Sequence, residues 1–315
     1  MNNFSISKSW SILSDIEQRI KAKIEEVGVP LKDWDIQINY GIKTGLNEAF
    51  IISGEKRKEI VAADPKSAEI IRPILRGRDI KRYEYKFSDL WLLHIPWHFP
   101  LHNDASIIGA SEIAEFQFKE QFPSAYNHLL LYKDQLLARN RAETGIRYEW
   151  YSLQRWGANY SDDFYKQKIV YAETMRVHKK TDSDRFPRFS YSEEGIFLDK
   201  TCFMITGDNL LYILPILNSK LMCFFIRNNI AVLDTGGFLM QKIYIDRLPI
   251  PPVSGENRNK LETLCVQIFE ERRRSLNSYN LEDEVDSIIY NLYGFTRDEI
   301  AHIEKISSEL RSMSR

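Results

Sequence analysis

A cluster of three prolines in the segment RLPIPPVSG divides the sequence into two parts of different character. Pro249, Pro251 and Pro252 lack a backbone N–H and have a fixed φ, so neither a central strand nor a helix interior can continue through them. Beyond residue 256, apolar residues recur at helical spacing in three charged segments, which are separated by NSYN and YGFT. The prolines therefore mark the end of one structural unit and the start of a helical C-terminal segment.

The part before the prolines mixes helical and strand-like patterns. Ser14 and Glu17 have the spacing of a capping box, and an amphipathic helix follows them until Gly28. Strand-like runs are DIQINY, AFIIS, LWLLHI, KIVYAE, GIFLDKTCFMIT and QKIYIDRLPI. DIQINY and AFIIS are expected to form a hairpin or two neighbouring strands.

Two further segments are predicted to be helical. PKSAEIIRPILRGRDI follows Asp64, with Pro65 at the first helical position, and is expected to form a short helix that stops near Gly77. LLYILPILNSKLMCFFIRNN is expected to form one buried helix that Pro215 bends or enters in its first turns.

Strands and helices do not alternate regularly, so a doubly wound parallel sheet is not expected. The predicted fold class is mixed α/β, with a mostly antiparallel sheet, flanking helices and a helical C-terminal tail. The predicted domains are an N-terminal helix (1–30), an α/β body (31–252) and a helical C-terminal segment (253–315).

Charge and cysteine content narrow the classes of function. The 43 basic and 44 acidic residues give a net charge of −1, so any surface for nucleic acid has to be local. The N-terminus has no basic segment followed by an apolar run, and the longest apolar stretch is far shorter than the roughly 20 residues of a membrane span. Cys202, Cys223 and Cys265 lie far apart and lack metal-ligand spacing. We expect a cytoplasmic protein that needs neither a membrane nor a metal.

The stretch NYGIKTGLNEAFIIS resembles a nucleotide-binding loop at first sight. A nucleotide-triphosphate loop requires a contiguous Gly-Lys-Ser/Thr that opens a helix, whereas here Lys43 precedes Gly45 and a strand is predicted to follow. Two interpretations stay open. One is a tight turn with glycines at positive φ. The other is a loop whose N–H groups, together with Lys43, Thr44 and Asn47, face a phosphate or a base edge of a polynucleotide.

Two basic clusters also contain aromatic and amide side chains. In RPILRGRDIKRY, we assign Arg76, Arg78, Lys81 and Arg82 to backbone phosphates. In RNRAETGIRYEWYSLQRWGANY, we assign Arg141, Arg147, Arg155 and Asn159 to bases or flanking phosphates, because arginine and amide side chains form bidentate hydrogen bonds with base edges. The alternative for each residue is that it only packs a surface layer.

Other catalytic patterns are weak. Histidines 94, 98 and 102 are spaced four apart, but Pro96 and Pro100 disrupt the helical face that a metal would require. The nuclease-like set of Asp79, Glu84 and Lys86 is short, and such sets arise by chance in a chain that is 28% charged. We therefore assign no catalytic or metal-binding residue.

Six segments, in the same order, resemble the TaqI-like C-terminal specificity domain of adenine-specific DNA methyltransferases and type IIG restriction-modification enzymes. They are WDIQINYGIKTGLNEAFII, DPKSAEIIRPILRGRDIKRY, YSLQRWGANYSDDFYKQKIVYAE, ILNSKL, RLPIPP and LEDEVDSIIYNLYGFTRDEI. The resemblance runs from about Trp10 to about Ile303.

This resemblance implies target recognition. In the family, a separate catalytic domain binds S-adenosylmethionine and flips an adenine into a pocket with an Asn/Asp-Pro-Pro-Tyr/Phe motif. This sequence contains neither that motif nor a Gly-rich S-adenosylmethionine loop. The resemblance therefore implies that the chain binds double-stranded DNA, holds no cofactor itself and works with a methyltransferase domain or subunit, in some relatives also with a nuclease. The alternative is a protein-interaction subunit or decoy that docks such an enzyme through its helical tail.

Overall fold

Two hydrophobic cores, on opposite faces of one antiparallel sheet, organise the chain in the computed structural model, which describes residues 14–177, 185–234 and 236–312. The strands of the described residues are β1 (Val29–Pro30), β2 (Ile36–Tyr40), β3 (Ile51–Ser53), β4 (Ile71–Leu75), β5 (Leu90–Leu93), β6 (Lys168–Ala172), β7 (Thr174–Arg176), β8 (Phe189–Ser192), β9 (Phe197–Leu198), β10 (Cys202–Gly207), β11 (Gly237–Leu239) and β12 (Pro249–Ile250).

The α-helices of the described residues are α1 (Asp15–Val27), α2 (Asn47–Phe50), α3 (Gly54–Ala63), α4 (Glu112–Gln121), α5 (Pro123–Leu130), α6 (Lys133–Ala138), α7 (Leu210–Leu217), α8 (Lys220–Asn229), α9 (Lys242–Ile245), α10 (Glu256–Arg273), α11 (Tyr279–Leu292) and α12 (Arg297–Ser312). Ser14 caps α1 and exchanges hydrogen bonds with Glu17, so the predicted capping box is confirmed.

The central sheet has the strand order β2-β10-β6-β8 and is antiparallel throughout. Because successive side chains of a strand point to opposite faces, Ile169 and Ile205 join the first core, whereas Val170 and Met204 join the second. The second core is completed by a sheet of order β3-β5-β4-β9, in which β4 and β9 pair in parallel, and by α2 to α6. β1 pairs with β12, and β7 pairs with β11.

The three C-terminal helices belong to the first core. Apolar side chains of α10, α11 and α12 are buried with those of α1 and α7, and Lys23 of α1 donates hydrogen bonds to Gly294 O and Glu299 Oε2, both at 2.7 Å. The predicted mixed α/β class with antiparallel sheets and C-terminal helices is confirmed. The division into residues 1–30, 31–252 and 253–315 stays a prediction, and the helices of the last segment share their core with the sheet.

The expected pairing of DIQINY with AFIIS is wrong. β2 pairs with β10 in the central sheet, whereas β3 pairs with β5 in the other sheet. The chain crosses from one sheet to the other between them, because Ala49 and Phe50 are buried in the second core.

The helix expected for PKSAEIIRPILRGRDI is also wrong in its second half. A 3-10 helix covers Pro65–Ile70 with Asp64 at its N-cap, and the chain then continues as β4. The sheet buries Ile71, Ile74 and Leu75, so tertiary packing favours a strand here. Pro73 also disfavours a helix at this place, because proline disrupts a helix interior.

The single helix expected for LLYILPILNSKLMCFFIRNN is two helices, α7 and α8, which meet at an angle of 68°. Ser219 caps α8, and the Asn218 side chain exchanges two hydrogen bonds with the backbone of Phe189. Among the described residues, no single helix is long and apolar enough to cross a membrane; only this bent pair reaches the required length and composition. The strand-like run QKIYIDRLPI contains the short helix α9 before β12.

Candidate functional site

The Gly-rich stretch forms a loop that is held by backbone contacts on both sides; we call residues 41–47 the first loop. Lys43 and Arg155 form an antiparallel bridge, with N–O distances of 3.0 and 2.9 Å. Gly41 lies so close to the opposite chain that a Cβ atom there would be 2.0 Å from Asp199 O. Gly45 has a φ of +81°, as the tight-turn interpretation requires, whereas Gly41 is not among the glycines with positive φ.

Arg139 ties the first loop to the segment of residues 139–159, which we call the basic segment. Its guanidinium donates to Thr44 O at 2.6 Å, to Trp150 O at 3.3 Å and to Ser152 O. Burial lowers the pKa of Arg139 to about 10, which leaves it charged at neutral pH. One charged donor therefore satisfies three carbonyl groups from two parts of the chain.

Thr44 and Asn47 act together. Thr44 is buried, and its hydroxyl donates to Asn47 Oδ1 at 2.6 Å. This hydrogen bond orients the amide of Asn47, which is exposed. Thr44 is therefore placed to position Asn47, whereas Lys43 and Asn47 face the solvent.

Asn47 and the turn of residues 76–82, which we call the basic turn, line one groove of about 420 Å³. Its lining residues are Asn47, Arg76, Gly77, Arg78, Ala172, Glu173, Thr174, Asp199 and Thr201. Arg76 forms a two-pronged contact with Asp79, with both N–O distances at 3.0 Å. Burial alone would raise the pKa of Asp79, but the hydrogen bonds from Arg76 and Ser88 outweigh it and lower that pKa. Arg78 is exposed.

The arginines of the basic segment gather around Glu143 and Trp97. Arg147 Nη1 lies 2.8 Å from the Glu143 carboxylate, and Arg155 Nη2 lies 2.9 Å from it. Both guanidinium groups also lie over the Trp97 ring, at 5.6 and 5.7 Å from its centroid, and Trp97 stacks on Tyr148. The hydrogen bond from Arg155 lowers the pKa of Glu143. The Lys43–Arg155 bridge places this cluster beside the first loop.

The remaining predicted residues differ in their surroundings. Arg141 is exposed, and Asn159 is exposed in a second polar cavity, which Gln37 and Asn39 of β2 also line. Lys81 is partly buried. The structure does not place Asn159 in the groove of Asn47 and Arg78.

Arg82 points into the protein. Its guanidinium is buried and donates to Glu282 of α11 at 2.8 Å and to Pro187 O at 3.1 Å. A buried, ion-paired guanidinium does not reach a phosphate in this arrangement, so we leave Arg82 out of the candidate surface and assign it to the fold.

Sequence patterns did not reveal three residues of this region. Trp97 lies in a proline-rich run whose regular feature is the spacing of its histidines, and Arg139 is one of several arginines in a basic cluster. Glu173 is the last residue of the strand-like run KIVYAE, and it lines the groove only because β6 ends beside the basic turn. A contact between residues far apart in the sequence leaves no local pattern.

The α/β frame carries exposed lysine, arginine and asparagine side chains on adjoining loops, and these are side-chain types that contact phosphates and base edges in protein–DNA complexes. The family model of the TaqI-like C-terminal specificity domain matches residues 72–250, which is more than half of the chain. The chain belongs to this family, and the resemblance inferred from the six segments is confirmed.

Similar proteins are restriction-modification enzymes and a methyltransferase. Type II methyltransferase M.MjaIV of Methanocaldococcus jannaschii is 22% identical over 263 residues, which are 80% of this chain and 77% of that protein. The Type IIL restriction-modification enzyme MmeI, solved in complex with DNA, superposes with a TM-score of 0.59 and 13% identity over 90% of this chain and 36% of its own. The type IIG restriction endonuclease BpuSI gives a TM-score of 0.47 and 12% identity over 89% and 33%. The chain therefore spans about a third of the length of these two solved enzymes.

Proposed function

We propose that this chain recognises a short sequence in duplex DNA, as the target recognition domain of an adenine-specific DNA methyltransferase or a type IIG restriction-modification enzyme. The observation that carries the proposal is the Lys43–Arg155 bridge, which joins the first loop to the basic segment and sets Lys43 opposite Arg155. Arg155 in turn shares the Glu143 carboxylate with Arg147. Asn47 links the same loop to Arg78 through the shared groove. Exposed positive charges and amides thus lie on adjoining loops of a rigid frame.

The contacts divide into two kinds. Lys43 and Arg78 are exposed cations suited to backbone phosphates, which set the register of the protein on the duplex. Asn47 and Arg155 carry planar groups suited to base edges, because their donors and acceptors match those of adenine and guanine in the major groove. Arg155, whose side chain is 41% exposed, reaches a base by exchanging its contact with Glu143.

We place the methyl-transfer chemistry on a methyltransferase domain or subunit that works with this chain. A flipped adenine needs a pocket that stacks the base and hydrogen-bonds its amino group. The sequence lacks the tetrapeptide that supplies this pocket in the family, which supports a separate site for S-adenosylmethionine and the extruded base. Among the described residues, no group of three or more histidine, cysteine or acidic side chains could hold a metal ion.

The proposal is tested by selecting duplexes that the full chain retains from a random pool. At about 150 mM salt, non-specific attraction to phosphates is already weakened, so retained duplexes report base contacts. We expect a short enriched motif that contains an adenine. Retention without any enriched motif, or no retention, would contradict DNA reading by this chain alone and would favour the interaction subunit.

The double variant Lys43→Ala/Arg78→Ala is expected to flatten the salt dependence of DNA binding. Each phosphate contact that is lost lowers the slope of log K against log salt by about 0.9, so the pair lowers it by about 1.8. The affinity for one duplex is measured by fluorescence anisotropy at several salt concentrations.

The matched control is Lys32→Ala/Arg274→Ala, which removes the same charge from two exposed positions outside the first loop, the basic turn and the basic segment. The control is expected to keep the wild-type slope. Equal slopes in both double variants would remove Lys43 and Arg78 from the phosphate contacts.

A further inference from the structure

Glu173 is held rigidly at the wall of the groove shared by Asn47 and Arg78. It lies between β6 and β7, and both of its backbone groups are bonded: its N–H donates to Thr201 O at 2.8 Å, and its carbonyl accepts from Met240 N at 2.7 Å. Its side chain is partly exposed and lines the groove. These backbone hydrogen bonds therefore fix the position from which the Glu173 side chain extends.

The other acidic group of the groove is already occupied. Asp199 accepts hydrogen bonds from the backbone N–H of Thr201 at 2.9 Å and from its hydroxyl. On the basic side, Arg76 is engaged by Asp79, which lies outside the groove lining. The charged groups of Asp199, Arg76 and Asp79 therefore stabilise the local fold.

Glu173 and Arg78 differ from them. Within the described parts of the chain, neither side chain has a hydrogen bond or an ion pair, although they have opposite charges and line the same groove. Asn47 accepts a hydrogen bond from Thr44, and its amide nitrogen has no partner among the described residues. A negative, a positive and a neutral polar group are thus available to a ligand in one groove of about 420 Å³.

A free carboxylate in a surface that binds phosphates requires an explanation, because it repels the DNA backbone. A carboxylate becomes favourable when it meets a base that presents an amino group to it. Cytosine presents only its N4 amino group as a polar group in the major groove, whereas adenine places the N7 acceptor beside its N6 amino group, which suits an amide better. A carboxylate therefore favours cytosine.

We infer that Glu173 accepts a hydrogen bond from the exocyclic amino group of a cytosine and so specifies one position of the recognised sequence. This inference rests on the proposed DNA recognition and adds a residue that determines specificity. Arg78 and Asn47, which line the same groove, hold the neighbouring backbone or base, and the carboxylate rejects bases that carry an acceptor at the same place.

The test compares motifs selected from the same random duplex pool by the wild-type chain, Glu173→Gln and Glu55→Gln. Glu55 is exposed in the first turn of α3 and does not line the groove, so its substitution removes the same charge elsewhere. We expect the wild type and Glu55→Gln to enrich the same motif with a cytosine at one position. Glu173→Gln is expected to lose about tenfold or more of the preference at that position while it keeps the others. Circular dichroism of all three chains verifies the fold.

Each other outcome would overturn the inference in a recognisable way. An unchanged cytosine preference in Glu173→Gln would show that the carboxylate reads no base. If the wild-type motif has an adenine at the position that Glu173→Gln changes, Glu173 contacts the adenine amino group instead, and the assignment to cytosine is contradicted. A wild-type chain that enriches no motif would contradict the proposed function itself, whereas a wild-type motif that Glu173→Gln reproduces would contradict only the role of Glu173.

Discussion

Replacement of Glu282 by glutamine is expected to lower the free energy of unfolding by about 3–5 kcal/mol at pH 7, because it leaves two buried guanidinium groups without their carboxylate. The side chains of Arg82 and Arg272 are 6% and 7% exposed, and each donates to Glu282 at 2.8 Å. Ser278 donates to the same carboxylate at 2.9 Å. Urea unfolding followed by tryptophan fluorescence measures the difference.

Glu284→Gln is the matched control on the same helix. Glu284 pairs with Lys260 at 2.7 Å, but both side chains are more than 40% exposed, so its loss is expected to change the free energy of unfolding by less than about 1 kcal/mol. If both substitutions change the free energy of unfolding equally, the guanidinium groups of Arg82 and Arg272 become hydrated when the Glu282 carboxylate is removed, and the predicted penalty is wrong.

The difference in free energy of unfolding between the wild type and Glu282→Gln is also expected to depend on pH. Burial alone would raise the pKa of Glu282, but Arg82 and Arg272 outweigh it and lower the pKa to about 2, from an ordinary value of 4.5. The unfolded state therefore binds this proton more readily than the folded state. The contribution of Glu282 is complete above pH 4.5 and is lost as the pH falls through about 2, so the two unfolding curves are expected to converge over that range.

Arg139→Met is expected to weaken binding to the selected duplex by about 100-fold or more and to destabilise the fold. The substitution removes the donor to Thr44 O, Trp150 O and Ser152 O, and a hydrogen bond from a charged group contributes about 1.5–3 kcal/mol. The first loop then loses a main connection to the basic segment. Fluorescence anisotropy measures affinity, and thermal unfolding measures stability.

Arg147→Met removes the same charge at the surface and serves as the comparison. Arg147 is 59% exposed and pairs with Glu143, so its loss is expected to reduce affinity by about tenfold at most and to leave the unfolding temperature unchanged. If Arg139→Met matches this comparison in both measurements, the two segments keep their arrangement without Arg139.

Local patterns predicted local structure well. The capping box at Ser14, the three C-terminal helices and the positive φ of Gly45 depend on neighbouring residues, and each is present. Strand pairing depends on distant residues, which is why the sequence suggests a hairpin or two neighbouring strands for DIQINY and AFIIS, although they belong to different sheets. The strand β4 was missed because short apolar runs fit a helix and a buried strand equally well.

Prediction of the candidate site from the sequence is limited in the same way, because it also depends on distant residues. Arg78 and Arg82 lie four positions apart in one basic run, yet Arg78 is exposed and Arg82 is buried against Glu282, a partner 200 residues further along the chain. Composition identified the run as basic, and only the packing of α11 separates the two roles. Glu173 could not be recognised from the sequence, because only the fold brings it into one groove with Arg78.

The backbone bridge between Lys43 and Arg155 has a consequence for how such a domain diversifies. The two residues are joined through N–H and carbonyl groups alone, and Glu173 is anchored to Thr201 and Met240 in the same way. Backbone hydrogen bonds do not depend on the identity of the side chain. Substitutions at Lys43, Arg155 and Glu173 are therefore expected to change the chemical groups on the surface while the frame stays intact. On the proposed function, target preference can therefore change through single codons, without a matching change elsewhere in the gene.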